Sequence, residues 1–312
     1  MVEVQKTEIR KKYKARQIAG KVLLYTVLTV SSLIMIYPLL FGIMGSLVTD
    51  AEFYNAGLLP LPEKFGRLQW ANFAEIFKDE RTWPAIWLTL VKYAFYAVVN
   101  LLTSVSLGYV FAKMQFKGKN IAFIYLLISM MIPGIALLVP NFVWYAHFPL
   151  MGGNNILGQG GSGLIDNEAI IFVLAWVSPY NIFLCRQALS GVPNDYKDAA
   201  KIDGMNLFSI IFFVYMPLIK SVVALMLFNQ FCSIWNDYTF SLIFLPTRSD
   251  LYTIGAQSVQ IASYFSTSGG SGITQYPKVF AIGIVTMIPP VVAYVFMQNY
   301  LVEGLTAGGI KG

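Results

Sequence analysis

The chain has 312 residues, 56% of them hydrophobic and only 12% charged, with a mean hydropathy of +0.61. That composition excludes an ordinary soluble core and describes a polytopic membrane protein. The formal charge of +6 does not point to nucleic acid, because Lys6, Arg10, Lys11, Lys12, Lys14, Arg16 and Lys21 crowd ahead of the first apolar run, as in a cytosolic flank touching anionic lipid.

Residues 1–21 form this basic segment, and the apolar run at 22–48 exceeds the apolar core of a signal peptide, so it reads as an uncleaved span. Residues 50–83 mix both signs, carry short helical or turn elements around Pro60-Leu61-Pro62 and at 71–77, and belong outside. Further spans at 84–112, 121–144, 169–188, 207–245 and 279–301 complete an all-α bundle of six transmembrane helices, a single membrane domain over 22–312. The fifth is too long for one straight crossing. Its first part is assigned to a cytoplasmic elbow and its last part to the outer surface.

Charge orients the bundle. The loops with Lys113, Lys117 and Lys119, and with Arg186, Lys197 and Lys201, are basic and cytoplasmic, whereas the stretch between Lys119 and Arg186 has no lysine or arginine and carries Asp166 and Glu168 outside. Both termini are then cytosolic. Glycine-rich tracts at 152–163 and 266–272 read as mobile external loops. Pro38, Pro133, Pro140, Pro179, Pro217, Pro289 and Pro290 fall in or beside spans and predict kinked helices around an internal pathway.

Chemistry-bearing residues are few. Cys185 and Cys232 lie far apart in or beside apolar segments, which suggests neither a disulfide nor a metal site, and a single histidine, His147, leaves too few ligands for a catalytic metal. Asn100, Asn141, Asn181, Asn229 and Gln230 must find partners within the bundle, either neighbouring helices or a solute. Trp235-Asn236-Asp237-Tyr238 sets an amide and a carboxylate between two aromatics near the outer half of the fifth span. With Asn229 it is the candidate substrate pathway, the alternative being a structural segment. Lys92 is expected to snorkel outward. Trp83, Trp87, Trp144 and Trp176 read as interfacial belts.

Between the fourth and fifth spans, at about 191–217, lies Asp198-Ala199-Ala200-Lys201-Ile202-Asp203-Gly204, followed by Met216-Pro217. Asp203-Gly204 can end one short helix in a tight turn, Asn206 can cap a second, and Ala199 and Ala200 keep the first narrow enough for another protein to approach. This pattern resembles the cytoplasmic loop of binding-protein-dependent ABC importer permeases, E-A-A, then Gly after three residues, then Leu-Pro. Asp198 stands in the glutamate place and Met216 in the leucine place. Val192-Pro193 and the tail from Tyr300 to Gly312 are similar to the carbohydrate-uptake branch, especially the smaller permease of maltose-type transporters.

The resemblance implies a type I permease fold and a transport subunit with no catalytic residue of its own. Asp198, Ala199, Ala200, Asp203, Gly204 and Pro217 would contact the ATPases. Implied partners are a second related permease, two ATPase subunits that hold ATP and Mg, an extracellular or periplasmic solute-binding protein, and a sugar substrate, in a bacterial plasma membrane. No cofactor or metal is expected in this chain, and its tail at 302–312 is expected to be a turn-rich cytosolic contact for the ATPases. Two rivals make different demands. A secondary transporter or channel needs an intramembrane coupling charge or a filter, for which Asp237 is the candidate, and a membrane enzyme needs acid–base pairs that the sequence lacks.

Overall fold

The structure is a computed structural model. It describes residues 2–63, 65–173, 176–267 and 274–309, without the side chains of 2–16, 65 and 301–309. Among the described residues the chain is helical and contains no strand. In chain order, α1 (Val2–Ser46) is followed by α2 (Asp50–Tyr54), α3 (Ala71–Lys78) and the long α4 (Thr82–Lys113). The third apolar segment contains α5 (Lys119–Met130) and α6 (Leu138–Ala146), and the fourth contains α7 (Ile170–Val173) and α8 (Pro179–Ser190). The elbow comprises α9 (Asp195–Ile202), α10 (Leu207–Ser209), a π-helical stretch Ile210–Tyr215 and α11 (Met216–Leu218). Then come α12 (Lys220–Trp235), α13 (Thr239–Phe244), α14 (Ile254–Ser266) and α15 (Tyr276–Gly309).

Three described helices are long and apolar enough to cross a membrane: Gln17–Ser46, Thr82–Lys113 and Tyr276–Tyr300. Counting each bent pair as one span raises the number to five. Lys119–Met130 and Gly134–Ala146 meet at 92°, and Leu207–Leu218 meets Lys220–Trp235 at 88°. The third expected span is therefore not straight. Pro133 supplies no backbone N–H and disfavours helix at the residue before it, so α5 ends at Met130. The fourth is interrupted as well, because α8 starts afresh with Pro179 in its first turn and Ser178 Oγ accepting from the Asn181 N–H at 3.3 Å.

Two more expectations change. The segment expected as a turn-rich tail is helical through Gly309. The 152–163 loop is a hydrogen-bonded turn structure rather than a loose one. Asn154 is buried there, its Nδ2 donating to the carbonyls of Ala146 and Phe148 at 2.9 and 3.1 Å and its Oδ1 accepting from Gly161 at 2.8 Å. Gly163 has φ +62, and a Cβ there would strike the Tyr145 and Ala146 carbonyls. Residues 268–273 of the second glycine-rich tract lie outside the described residues.

The chain packs as two compact units inside what the sequence reading treats as one membrane domain. In the first, Met1–Ile76 with Tyr264–Ile284, Phe53 stacks on Tyr276 at 5.4 Å and Phe41 meets Phe280 edge-on at 5.6 Å. Asn72 Nδ2 donates to the Ser46 and Val48 carbonyls at 2.9 and 3.0 Å, so the end of α1 is tied to α3. The second unit, Phe77–Ser263 with Val285–Gly312, is organised around α4 lying against α8. Gly108 permits that approach, since a Cβ on it would stand 2.5 Å from Cys185 Cβ and 3.2 Å from the Arg186 nitrogen. Val105, Tyr109, Cys185, Leu189, Tyr215 and Met226 form the apolar core beneath the elbow.

Candidate functional site

The elbow is built as the sequence predicts, with one change. Gly204 takes φ +78; its N–H donates to Lys201 O and the Met205 N–H to Ala200 O, both at 3.0 Å. This is the glycine-capped helix ending in which two inward hydrogen bonds satisfy the last carbonyls. Asn206 Oδ1 then accepts from the Ser209 N–H at 2.8 Å and starts α10. Upstream, Lys113 Nζ donates to the Val192 carbonyl and the Tyr215 hydroxyl to that of Pro193, so the elbow is anchored to α4 and to the π-helical stretch.

Asp198, Ala199, Asp203, Gly204 and Pro217 are exposed, as a docking surface requires. Ala200 is not. It is 4% exposed and belongs to the core with Tyr109 and Tyr215, so its small side chain serves this chain's own packing rather than an external partner. In its place Ile202, 87% exposed, and the exposed Tyr196 present apolar surface on α9. Apolar side chains that face outward from an otherwise polar short helix are the signal that a composition-based reading overlooks.

A cavity of about 510 Å³ opens between α4, α8 and α12. Lys92, Tyr96 and Asn100 line it from α4, spaced four residues apart on one helical stripe. Asn229, Gln230 and Ser233 come from α12 and Asp237 from the residues just after it, while Asn181 comes from α8.

Lys92 overturns its expected role. It is 3% exposed, with Nζ 3.8 Å from Asp237 Oδ2 and 4.2 Å from the Phe240 ring centroid. An inward partner carboxylate, not the aqueous interface, holds the ammonium. Asp237 is fixed in turn: its Oδ1 accepts from the Phe240 N–H at 3.1 Å and its carbonyl from Thr253 Oγ1 at 2.9 Å.

Of the expected pathway residues, the cavity contains Asn229 and Asp237. Trp235 is buried and its Nε1 donates to the Thr286 carbonyl at 2.8 Å, which makes it a packing residue. Asn236 Nδ2 donates back to Cys232 O at 2.8 Å, and Tyr238 is 51% exposed; neither lines the cavity. The sequence analysis assigns no role to Tyr96, Ser178, Tyr180 or Ser233 and points Lys92 outward. The four-residue spacing of Lys92, Tyr96 and Asn100 was the available signal. Among the described residues no group of three or more His, Cys, Asp or Glu side chains could hold a metal ion.

Residues 104–306 fit the model of the binding-protein-dependent transport system inner membrane component. The chain belongs to this family. As such an inner membrane component it is a multi-pass transport subunit of an ABC importer, not an enzyme. Its relatives include the arabinooligosaccharides transport permease AraQ of Bacillus subtilis, 29% identical over 283 residues and covering 90% of this chain and 92% of that one. The lactose transport permease LacG of Rhizobium radiobacter is 27% identical, covering 92% of this chain and 95% of that one. Among solved structures, a chain of a bacterial ABC transporter involved in the import of the acidic polysaccharide alginate superposes with a TM-score of 0.74 at 20% identity, covering 90% of this chain and 95% of that one. That likeness establishes the type I permease fold.

Proposed function

We propose that this inner membrane component carries a sugar or oligosaccharide into the cytoplasm, receiving it from a solute-binding protein and driven by separate ATPase subunits that hold ATP and Mg. The observation that carries the reading is the exposed α9 elbow, capped at Gly204, on a chain whose relatives are named as sugar permeases. A second related permease completes the membrane part. Both termini and the elbow face the cytosol, and the 152–163 loop faces the binding protein's side, in accord with the basic loops at Lys113–Lys119 and Arg186–Lys201.

The geometry supports a mechanical route. α9 is seated on the core shared with α4 and α8 through Ala200, and the chain runs from it through α10 and α11 into α12 at an 88° bend. A push on the elbow therefore reaches the helix that lines the cavity with Asn229 and Ser233. The test is uptake of lactose and of arabinotriose by proteoliposomes holding the assembled transporter with its binding protein. Accumulation that needs ATP inside and the binding protein outside is the expected result. Accumulation driven by an ion gradient without ATP would replace this reading with a secondary transporter, for which the Lys92–Asp237 pair would be the coupling element.

A further inference from the structure

We propose that the Lys92–Asp237 cavity is a solute site of this subunit itself, shaped for a neutral polyhydroxyl ligand rather than an anionic one; the inference rests on the sugar-import reading above. The first ground is the ammonium. Lys92 is 3% exposed, yet among the described residues it meets only the Asp237 carboxylate at 3.8 Å, beyond hydrogen-bond distance, and the Phe240 ring face. Lys92 lines a cavity of about 510 Å³, within the roughly 300–1,000 Å³ of small-molecule sites, and its ammonium carries three N–H donors. A buried charge held this loosely by protein groups is ready to donate to a ligand oxygen.

The second ground is charge balance. Among the described residues that line the cavity, Lys92 is the one base and Asp237 the one carboxylic acid, and their charges cancel. The rest of the polar lining is amide, hydroxyl and phenol, Asn181 contributed by α8 and Asn229 by α12. Sugar hydroxyls both donate and accept, so one can take a hydrogen bond from Lys92 while a neighbour gives one to Asp237. A carboxylate ligand would find Lys92 already neutralised and would be repelled by Asp237, whose side chain is 32% exposed. Tyr180, 46% exposed and also lining the cavity, supplies an aromatic ring that could stack on the apolar side of a pyranose. The architecture shared with the importer of an acidic polysaccharide thus carries a charge-neutral cavity here.

The experiment places a thiol at the exposed Ser233 of α12 in the assembled transporter, by Ser233→Cys with Cys232→Ser, leaving the buried Cys185 unchanged. The rate of N-ethylmaleimide labelling is read without binding protein, with lactose, raffinose or digalacturonate as probes. A neutral sugar at twice its Kd is expected to slow labelling ~threefold by simple occupancy. Digalacturonate is expected to leave the rate unchanged, and to become protective once Asp237→Asn frees the ammonium. Protection by digalacturonate equal to that by the neutral sugars, with the pair intact, overturns the assignment of ligand class, as does its remaining without effect after Asp237→Asn. Absence of protection by a sugar whose ATP-driven uptake the same preparation sustains overturns the site and leaves the transport function standing. ATP-driven uptake of none of the probes removes the function and the site together. Should Asp237→Asn fail to assemble, the comparison of neutral and anionic probes with the pair intact decides alone.

Discussion

Gly204 and Gly108 both resist a methyl group, for different reasons. At Gly204 the surroundings are open, with nothing within 4 Å of an added Cβ, so the cost of Gly204→Ala is the left-handed backbone alone, about 1 kcal/mol. At Gly108 the added carbon would press on Cys185 Cβ and the Arg186 backbone. Gly108→Ala is therefore expected to lower the thermal midpoint of the purified permease well beyond Gly204→Ala, with overpacking costing roughly 1–3 kcal/mol. Equal midpoints for the two variants would show that α4 and α8 are not in such close contact. The Lys92–Asp237 pair is also asymmetric. Lys92→Met leaves a carboxylate that still reaches solvent, whereas Asp237→Leu strands a buried ammonium. Asp237→Leu should be the more destabilising, by up to ~3 kcal/mol, as read by thermal unfolding in detergent; the reverse order would contradict the observed burial.

At the scale of the element, α9 has an inward and an outward side with separable tasks. Ala200→Leu places a large side chain in the core with Tyr109 and Tyr215, so it should destabilise the permease before any ATPase is present. Ala199→Arg and Ile202→Ser alter only exposed positions and should leave the isolated permease as stable as the parent, within about 0.5 kcal/mol. Under the docking role proposed for this surface they should nevertheless reduce co-purification of the ATPase subunit. Unchanged co-purification with both variants would move the ATPase contact away from α9. The glycine cap and the Asn206 cap explain why such short helices hold together, since each satisfies backbone groups that a helix of this length otherwise leaves to water.

For the molecule as a whole, the apolar surface of α1 describes its surroundings. Ile18, Leu23 and Met35 are 61%, 66% and 78% exposed within an apolar helix, which only lipid or another membrane helix can cover. The orientation proposed from charge can be tested at Ile156, 74% exposed in the 152–163 loop. Ile156→Cys should react with a membrane-impermeant maleimide in intact cells, while tags at Met1 and Gly312 stay protected. Reaction only after the membrane is opened would invert the topology.

The sequence alone determined the membrane class, the family and the elbow, because each rests on local or compositional physics. Long apolar runs report lipid, and Asp203-Gly204 with Asn206 reports a helix stop and start whatever surrounds them. Tertiary structure decided which way side chains point. α4 is apolar around most of its circumference, so only the four-residue spacing of Lys92, Tyr96 and Asn100 marks an inward stripe, and Lys92 taken by itself reads as a residue that reaches for water. Only the packing against α12 and Phe240 brings the distant Asp237 beside it. The same holds for Ala200, small for its own core, and for Trp235, whose indole is used up by the Thr286 carbonyl. Residue types and spacing thus located the elbow, whereas the cavity arises from contacts between segments far apart in the chain, which no local pattern encodes.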